Sequence, residues 1–450
     1  MTRAAFVDWG PRAALGLLLV TTACERHPAP PPGPAAQAAA PLRAHADGGA
    51  APGTSNATAN EPPMRALRRC FPQRPAWDDA PVADLLDRAA DLFDAADYEG
   101  ALVCAEEAAR QAPRSVEAHH NRAVALLHLE RLDEARDAFA LALALAPDDP
   151  ETLEAAADLF INQLPPSADR SLLGLEYARR GWRHTGARDS SRRARLALLE
   201  GQALIDLGRA AEALRRLDAS LAAAPDVASA QYERGVALFE LCRFEDARRM
   251  FEKVLADDAD HAHALYHLGL IEERQGNEEA AAKHLAAATA EDPKAFPPAP
   301  KISQEDFAAR VKRAVEALDP DMRRDLQGVP VEAADVPSEE DLTAEKPPLS
   351  PTILGLFRGL PLDWNAREPL PTQAGRPSKK GRAEEETGAA PARSAPADVP
   401  DRTIVLYRRN ILRTVHDEKE LEQAISRTLL HEVGHLRGED DGSLRDRGLE

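Results

Sequence analysis

The chain has 450 residues, room for two or three domains, and a formal net charge of −19. Such an acidic balance argues against nucleic acid as a partner, because phosphate binding needs clustered basic side chains. Aromatic residues make up only 4%, alanine is abundant and apolar positions recur at a helical period, which is the composition of a mostly helical protein.

Residues 1–23 read as an export signal. Arg3 and Arg12 flank a short leading segment, and Ala13 to Ala23 forms an apolar run too short to span a bilayer. It ends Val20-Thr21-Thr22-Ala23-Cys24. Small residues before a cysteine at this distance resemble a bacterial lipoprotein processing site, with Thr21 standing where such sites usually carry Leu. The resemblance implies lipidation at Cys24, export to the bacterial cell envelope and attachment to a membrane through an N-terminal lipid anchor. Ordinary signal cleavage is the competing reading. Residues 24–75 are rich in Pro, Ala and Gly and are expected to form a disordered tether. The remaining cysteines, Cys70, Cys104 and Cys242, are odd in number and widely spaced, so no disulfide framework is expected. Cys104 and Cys242 read as buried free thiols in helices.

Residues 76–297 are periodic. Pro113 and Pro147 lie 34 positions apart, and Pro225, Ala259 and Pro293 follow at the same interval. Twelve positions before each stands Ala101, Ala135, Ala213, Ala247 or Ala281. Twenty-four before each stands Ala89, Ala123, Gly201, Gly235 or Gly269. Eight before, the residue is often large: Phe139, Leu217, Phe251, Leu285. This pattern resembles the tetratricopeptide repeat. Small residues let paired helices approach, the large one is expected to fill the gap between repeats, and the Pro stops the second helix. The interval from Pro147 to Pro225 adds one degenerate repeat with about ten extra residues near Leu164-Pro165-Pro166, giving six helix pairs. The resemblance implies an α-solenoid whose groove binds a protein or peptide, either a substrate or an adaptor.

Residues 298–450 are expected to form a small α+β domain. Ser303 to Leu318 reads as a helix with Phe307, Val311, Val315 and Leu318 on one face. Gly328 to Pro337 and Asp401 to Ile411 read as strand-like, and about 365–400 is a Pro/Ala/Lys/Glu-rich insertion of disorder-like composition. Asp417 then starts a helix, with Glu420 in capping-box register and Leu421, Ile425, Leu429 and Val433 as its core stripe. The helix runs into His431-Glu432-Val433-Gly434-His435, extended by Gly438 and Asp441 to HExxHxxGxxD. Two imidazoles four residues apart project from one helix face and can grip one Zn2+, with Glu432 as general base. Gly438 lets the chain turn left-handed out of the helix, so that Asp441 can swing back as third ligand. The fourth position is left open, as catalytic zinc requires.

These blocks, with Ile353-Leu-Gly-Leu-Phe-Arg-Gly-Leu-Pro361, are similar to the minimal zincin-like metallopeptidases of bacteria. Leu436 and Arg437 depart from that pattern, as does the insertion. The resemblance implies a zincin fold, zinc on His431, His435 and Asp441, and Glu432 as catalytic base. Ile404 to Tyr407 is expected to form a rim for an extended substrate. Tyr407 and Arg408 read first as strand and core residues, and second as oxyanion donors. The whole chain thus reads as a membrane-tethered zinc hydrolase of peptides, with repeats that bind a substrate or adaptor. The alternative is a non-catalytic repeat scaffold of a cell-envelope complex with a structural or regulatory metal domain. A cover over the cleft by the insertion is a third possibility.

Overall fold

The computed structural model describes residues 70–71, 80–344, 346–362 and 401–449. The expected signal, Cys24, nearly all of the tether and the insertion lie outside these residues. From Val82 to Glu291 the described residues form twelve helices: α1 (Val82–Asp94), α2 (Tyr98–Gln111), α3 (Val116–His128), α4 (Leu132–Leu145), α5 (Pro150–Asp158), α6 (Ala168–His184), α7 (Ser190–Asp206), α8 (Ala210–Ala223), α9 (Ala228–Glu240), α10 (Phe244–Asp257), α11 (Ala262–Arg274) and α12 (Glu278–Glu291). A π-helical turn, Leu159–Gln163, sits ahead of Leu164-Pro165-Pro166, where the spacing predicts extra residues. Among the described residues, those up to Leu159 form one compact unit and those from Phe160 onward a second. No helix of the described residues is long and apolar enough to cross a membrane.

The 34-residue period has a steric basis. A Cβ added at Gly201, Gly235 or Gly269 would meet the side chain of Leu217, Phe251 or Leu285 at 2.6–2.7 Å. In each case the large residue sixteen positions on, in the second helix of the same pair, fills the space the glycine leaves. Ala123 and Phe139 stand at the same offset and are both buried. Phe251 also stacks on His267 of the following pair, with ring centroids 5.0 Å apart. The large position therefore serves the interior of a pair as well as the junction, a broader role than the spacing predicts. The turn inside a pair is left-handed at Ala96, Glu130, Gly208, Cys242 and Gly276.

One expectation from the cysteines is overturned. Cys70 and Cys104 form a disulfide, with their Cα atoms 5.7 Å apart. Both are fully buried, and the Cys70 carbonyl accepts a bond from Arg88 Nε at 3.0 Å. Cysteine count and spacing miss this pairing because bridging depends on Cα separation in space, which helix packing supplies. Cys242 is free.

The C-terminal part follows as α13 (Gln304–Ala317), α14 (Pro320–Asp325), β1 (Val331–Ala334), α15 (Glu339–Thr343), β2 (Gly355–Arg358), β3 (Thr403–Tyr407), α16 (Arg408–Leu412), α17 (Glu418–Leu436) and α18 (Asp441–Asp446). The sheet order is β1-β3-β2. β1 runs parallel to β3, with Val331 opposite Ile404, and β2 runs antiparallel to it, with Leu356 opposite Val405. One face, with Phe357, Ile404 and Leu406, packs on α13 and on the Leu421, Ile425, Leu429, Val433 stripe of α17. On the other face Leu356, Val405 and Tyr407 meet Leu342 and Ile353, with Cys242 and Phe244 of the α9–α10 pair against them. Arg409 of α16 and Arg413 just after it pair with Glu273 at the end of α11, and Arg409 also with Glu278. The last helix pairs therefore supply part of the packing and charge that support the sheet.

Two sequence expectations change here. Among the described residues β3 is the central strand, hydrogen-bonded to both β1 and β2, so Ile404 to Tyr407 forms no rim. The strand also ends at Tyr407, where α16 begins, rather than continuing to Ile411.

Candidate metal centre

α17 is capped as its sequence predicts. The Asp417 side chain accepts from Glu420 N at 2.8 Å. The Glu420 carboxylate reaches back one residue further than a capping box requires, to His416 N at 2.7 Å. The buried apolar stripe then fixes which face of the helix turns away from the core, and that face ends in the two histidines.

The structure brings His431, His435 and Asp441 together. Their ligand atoms lie within 4.8 Å of one another. The two Nε2 atoms are 3.0 Å apart. Asp441 Oδ1 is 3.6 Å from His431 Nε2 and 3.2 Å from His435 Nε2. Asp441 arrives there because α17 ends in a left-handed turn at Gly438, φ +86°, and α18 starts at Asp441 behind the N-cap Asp440. Gly434 lets α18 fold back: a Cβ on it would lie 2.2 Å from Leu444 Cδ2.

This arrangement fits a divalent cation. Zinc at about 2.0–2.1 Å from each donor sets tetrahedral donor–donor edges of about 3.3 Å, close to the observed separations. The Nδ1 atoms are engaged by carbonyl oxygens, His431 with Leu449 at 2.8 Å and His435 with Glu439 at 3.0 Å. That leaves both Nε2 lone pairs aimed at the shared point. The electrostatics agree. Burial disfavours a charged His435 ring, but the hydrogen bond to Asp441 and the neighbouring Glu432 and Asp441 charges outweigh it and lift its pKa to about 9. Burial likewise opposes ionisation of Asp441, yet the bonds to His431 and His435 hold it at about 2.

Glu432 is buried. Burial raises its pKa, against the pull of His435, His431 and the Phe357 amide. Its neighbour in the sheet is Gly355 of β2, where a Cβ would lie 2.8 Å from Glu432 Oε1 and 2.7 Å from Thr428 Cγ2. Gly355 and Phe357 of β2 therefore shape the space around Glu432, and sequence reasoning gave neither a role. The available signal was the glycine inside a strand, which marks a close approach. Tyr407 and Arg408 are engaged elsewhere. Tyr407 is buried with its hydroxyl 3.5 Å from Asp341 Oδ2. Arg408 donates to Asp335 and to the Ile302 carbonyl, both at 2.7 Å. Cys24 lies outside the described residues.

A buried glutamate between two helix-borne imidazoles, with a carboxylate brought back by a glycine turn beside a sheet of three described strands, is the arrangement of a zincin-like centre. The family model for zincin-like metallopeptidases matches residues 381–449, which include β3, α16, α17 and α18. The tetratricopeptide-repeat model matches 86–150, 198–248 and 241–296. The chain thus joins a repeat region of the kind that binds proteins to a zincin-like, peptidase-like domain. No curated protein matches it in sequence. Similar solved structures include Pseudomonas aeruginosa PilF, at 16% identity over 47% of this chain and 92% of that chain, TM-score 0.40. PilW, described as a widely conserved type IV pilus biogenesis factor, shows 22% identity over 48% and 96%, TM-score 0.42. YrrB, described as a TPR protein with an unusual peptide-binding site, shows 19% identity over 42% and 92%, TM-score 0.34.

Proposed function

We propose that the chain is an exported, membrane-tethered zinc-dependent peptidase whose repeats bind a protein substrate or adaptor. The observation that carries this reading is the convergence of His431, His435 and Asp441 beside the buried Glu432. Zinc, when bound, polarises a peptide carbonyl and acidifies a water. The chain's own residues do the rest. Glu432 accepts the proton of the attacking water and returns it to the departing amine. Burial raises its affinity for protons. Gly355 leaves the room in which that carboxylate moves.

A structural zinc has four protein ligands, whereas the described residues offer a group of three, and this favours the catalyst over the scaffold. The Cys70–Cys104 disulfide supports export independently of the N-terminal signal, since disulfides persist in oxidising compartments. Lipid attachment at Cys24 rests on the sequence.

The test is digestion of a peptide library by the purified chain with and without a chelator. Cleavage should depend on the metal. Glu432→Ala should retain zinc and lose cleavage by about 10²–10⁴-fold. A fully active Glu432→Ala protein would overturn the mechanism.

A further inference from the structure

The two ligand histidines are held by two copies of one backbone device. α17 ends with Gly438 N bonded to His435 O and Glu439 N to Gly434 O, each at 3.0 Å. α18 ends with Gly448 N bonded to Arg445 O at 2.8 Å and Leu449 N to Leu444 O at 3.1 Å. Both are Schellman turns, closed by a left-handed glycine, Gly438 at φ +86° and Gly448 at φ +73°. In each turn the residue after the glycine presents its carbonyl to one imidazole: Glu439 to His435 Nδ1 and Leu449 to His431 Nδ1. The sequence carries the same duplication ten residues apart, as Arg437-Gly438-Glu439 and Arg447-Gly448-Leu449. The turns are also tied to each other, since Arg447 Nη1 donates to the Glu439 carboxylate at 2.6 Å.

We propose that the C-terminal turn Arg447-Gly448-Leu449 is a metal-positioning element, whose Leu449 carbonyl fixes the Nδ1–H tautomer and ring orientation of His431. The inference rests on the metal reading above. Its logic is that an imidazole ligates through Nε2 only when Nδ1 carries the proton, and an acceptor fixed at Nδ1 selects that form before the ion arrives. Glu439 reaches His435 from the turn that closes α17 itself. Leu449 reaches His431 only because α18 folds back and ends in a second turn. His431 therefore depends on chain that follows the metal motif.

Gly448 gives direct access to this element. A Cβ placed there meets nothing within 4 Å, so a substitution acts through backbone conformation and leaves packing alone. Asn tolerates the left-handed region and Val does not. The test compares the full chain with Gly448→Asn, Gly448→Val and a truncation after Arg447. Zinc dissociation constants are measured by chelator competition, and thermal unfolding is followed in metal-free protein. Gly448→Val and the truncation should weaken zinc about 10–100-fold, the usual effect of losing an outer-shell partner. Gly448→Asn should bind as the parent does, and all four metal-free proteins should unfold together. Parent-like zinc affinity in both the Val variant and the truncation overturns the proposal. So does a loss of affinity matched by earlier metal-free unfolding, which makes the turn merely structural. A parent chain that binds no zinc removes the metal reading itself.

Discussion

The repeat array and the metal hairpin use glycine in opposite ways. In the array, Gly201, Gly235 and Gly269 make the same gap and three large side chains fill it, so the fit is written several times and spread over 34-residue units. In the hairpin of α17 and α18, Gly434, Gly438 and Gly448 serve a single site, and all three candidate ligands with both histidines' carbonyl partners fall within residues 431–449. The difference predicts how each region fails. A lesion in the array subtracts packing from a sum of similar terms, whereas a lesion in the hairpin strikes the few residues that bring one site together.

Asp441→Ala should break the contrast hardest. It deletes one of the three candidate ligands, so zinc affinity should fall by more than the about 10–100-fold of an outer-shell change, while far-ultraviolet circular dichroism of the helices stays the same. Metal content after dialysis reads the first and the spectrum the second. Phe251→Ala tests the array. It empties the space against Gly235 and the stack on His267, and should cost about 3–5 kcal/mol in chemical denaturation with zinc stoichiometry unchanged. Gly355→Ala sharpens the comparison inside the metal domain. Its Cβ would press on Thr428 and Glu432, and turnover should drop about 10²-fold with zinc retained; parent-like turnover would show that Glu432 does not need the space.

The smallest effect lies at the seam between the two regions. Glu240, the last residue of α9, is pushed up to about 7 from 4.5 by burial, which a hydrogen bond from Ser350 only partly offsets. A carboxyl whose folded pKa is raised holds its proton longer in the folded state. Stability is therefore greatest below about pH 4.5 and falls as pH rises through 7, by about 1–2 kcal/mol once the partial solvent access of this side chain is allowed for. Denaturation midpoints of Glu240→Gln between pH 5 and 8 should lack this slope.

Much of the architecture was legible in the sequence, for definable reasons. The 34-residue period follows from contacts between residues sixteen apart in one helix pair, so local spacing encodes it. The α17 stripe was equally readable: Leu421, Ile425, Leu429 and Val433 are all buried, because helical periodicity alone decides which side meets the sheet. Within the site, His431 and His435 were visible as an i,i+4 pair on one helix. Asp441 was visible through Gly438. Gly355 was not, since its meaning depends on a strand more than seventy residues before Glu432. The rim assigned to β3 failed for a similar reason. An alternating apolar strand can be central or at an edge, and only pairing with both β1 and β2 showed which.

The amino-acid sequence by itself determined the repeat period, the helix that bears HExxH and the turn that returns Asp441, because each depends on residues a few turns apart. Tertiary structure alone decided the Cys70–Cys104 bridge, the placement of β3 between its neighbours, the packing of Cys242 and Phe244 beneath the sheet, and the reach of Leu449 to His431. Those contacts join segments whose separation along the chain carries no information about their separation in space; the packing of helices and strands sets it.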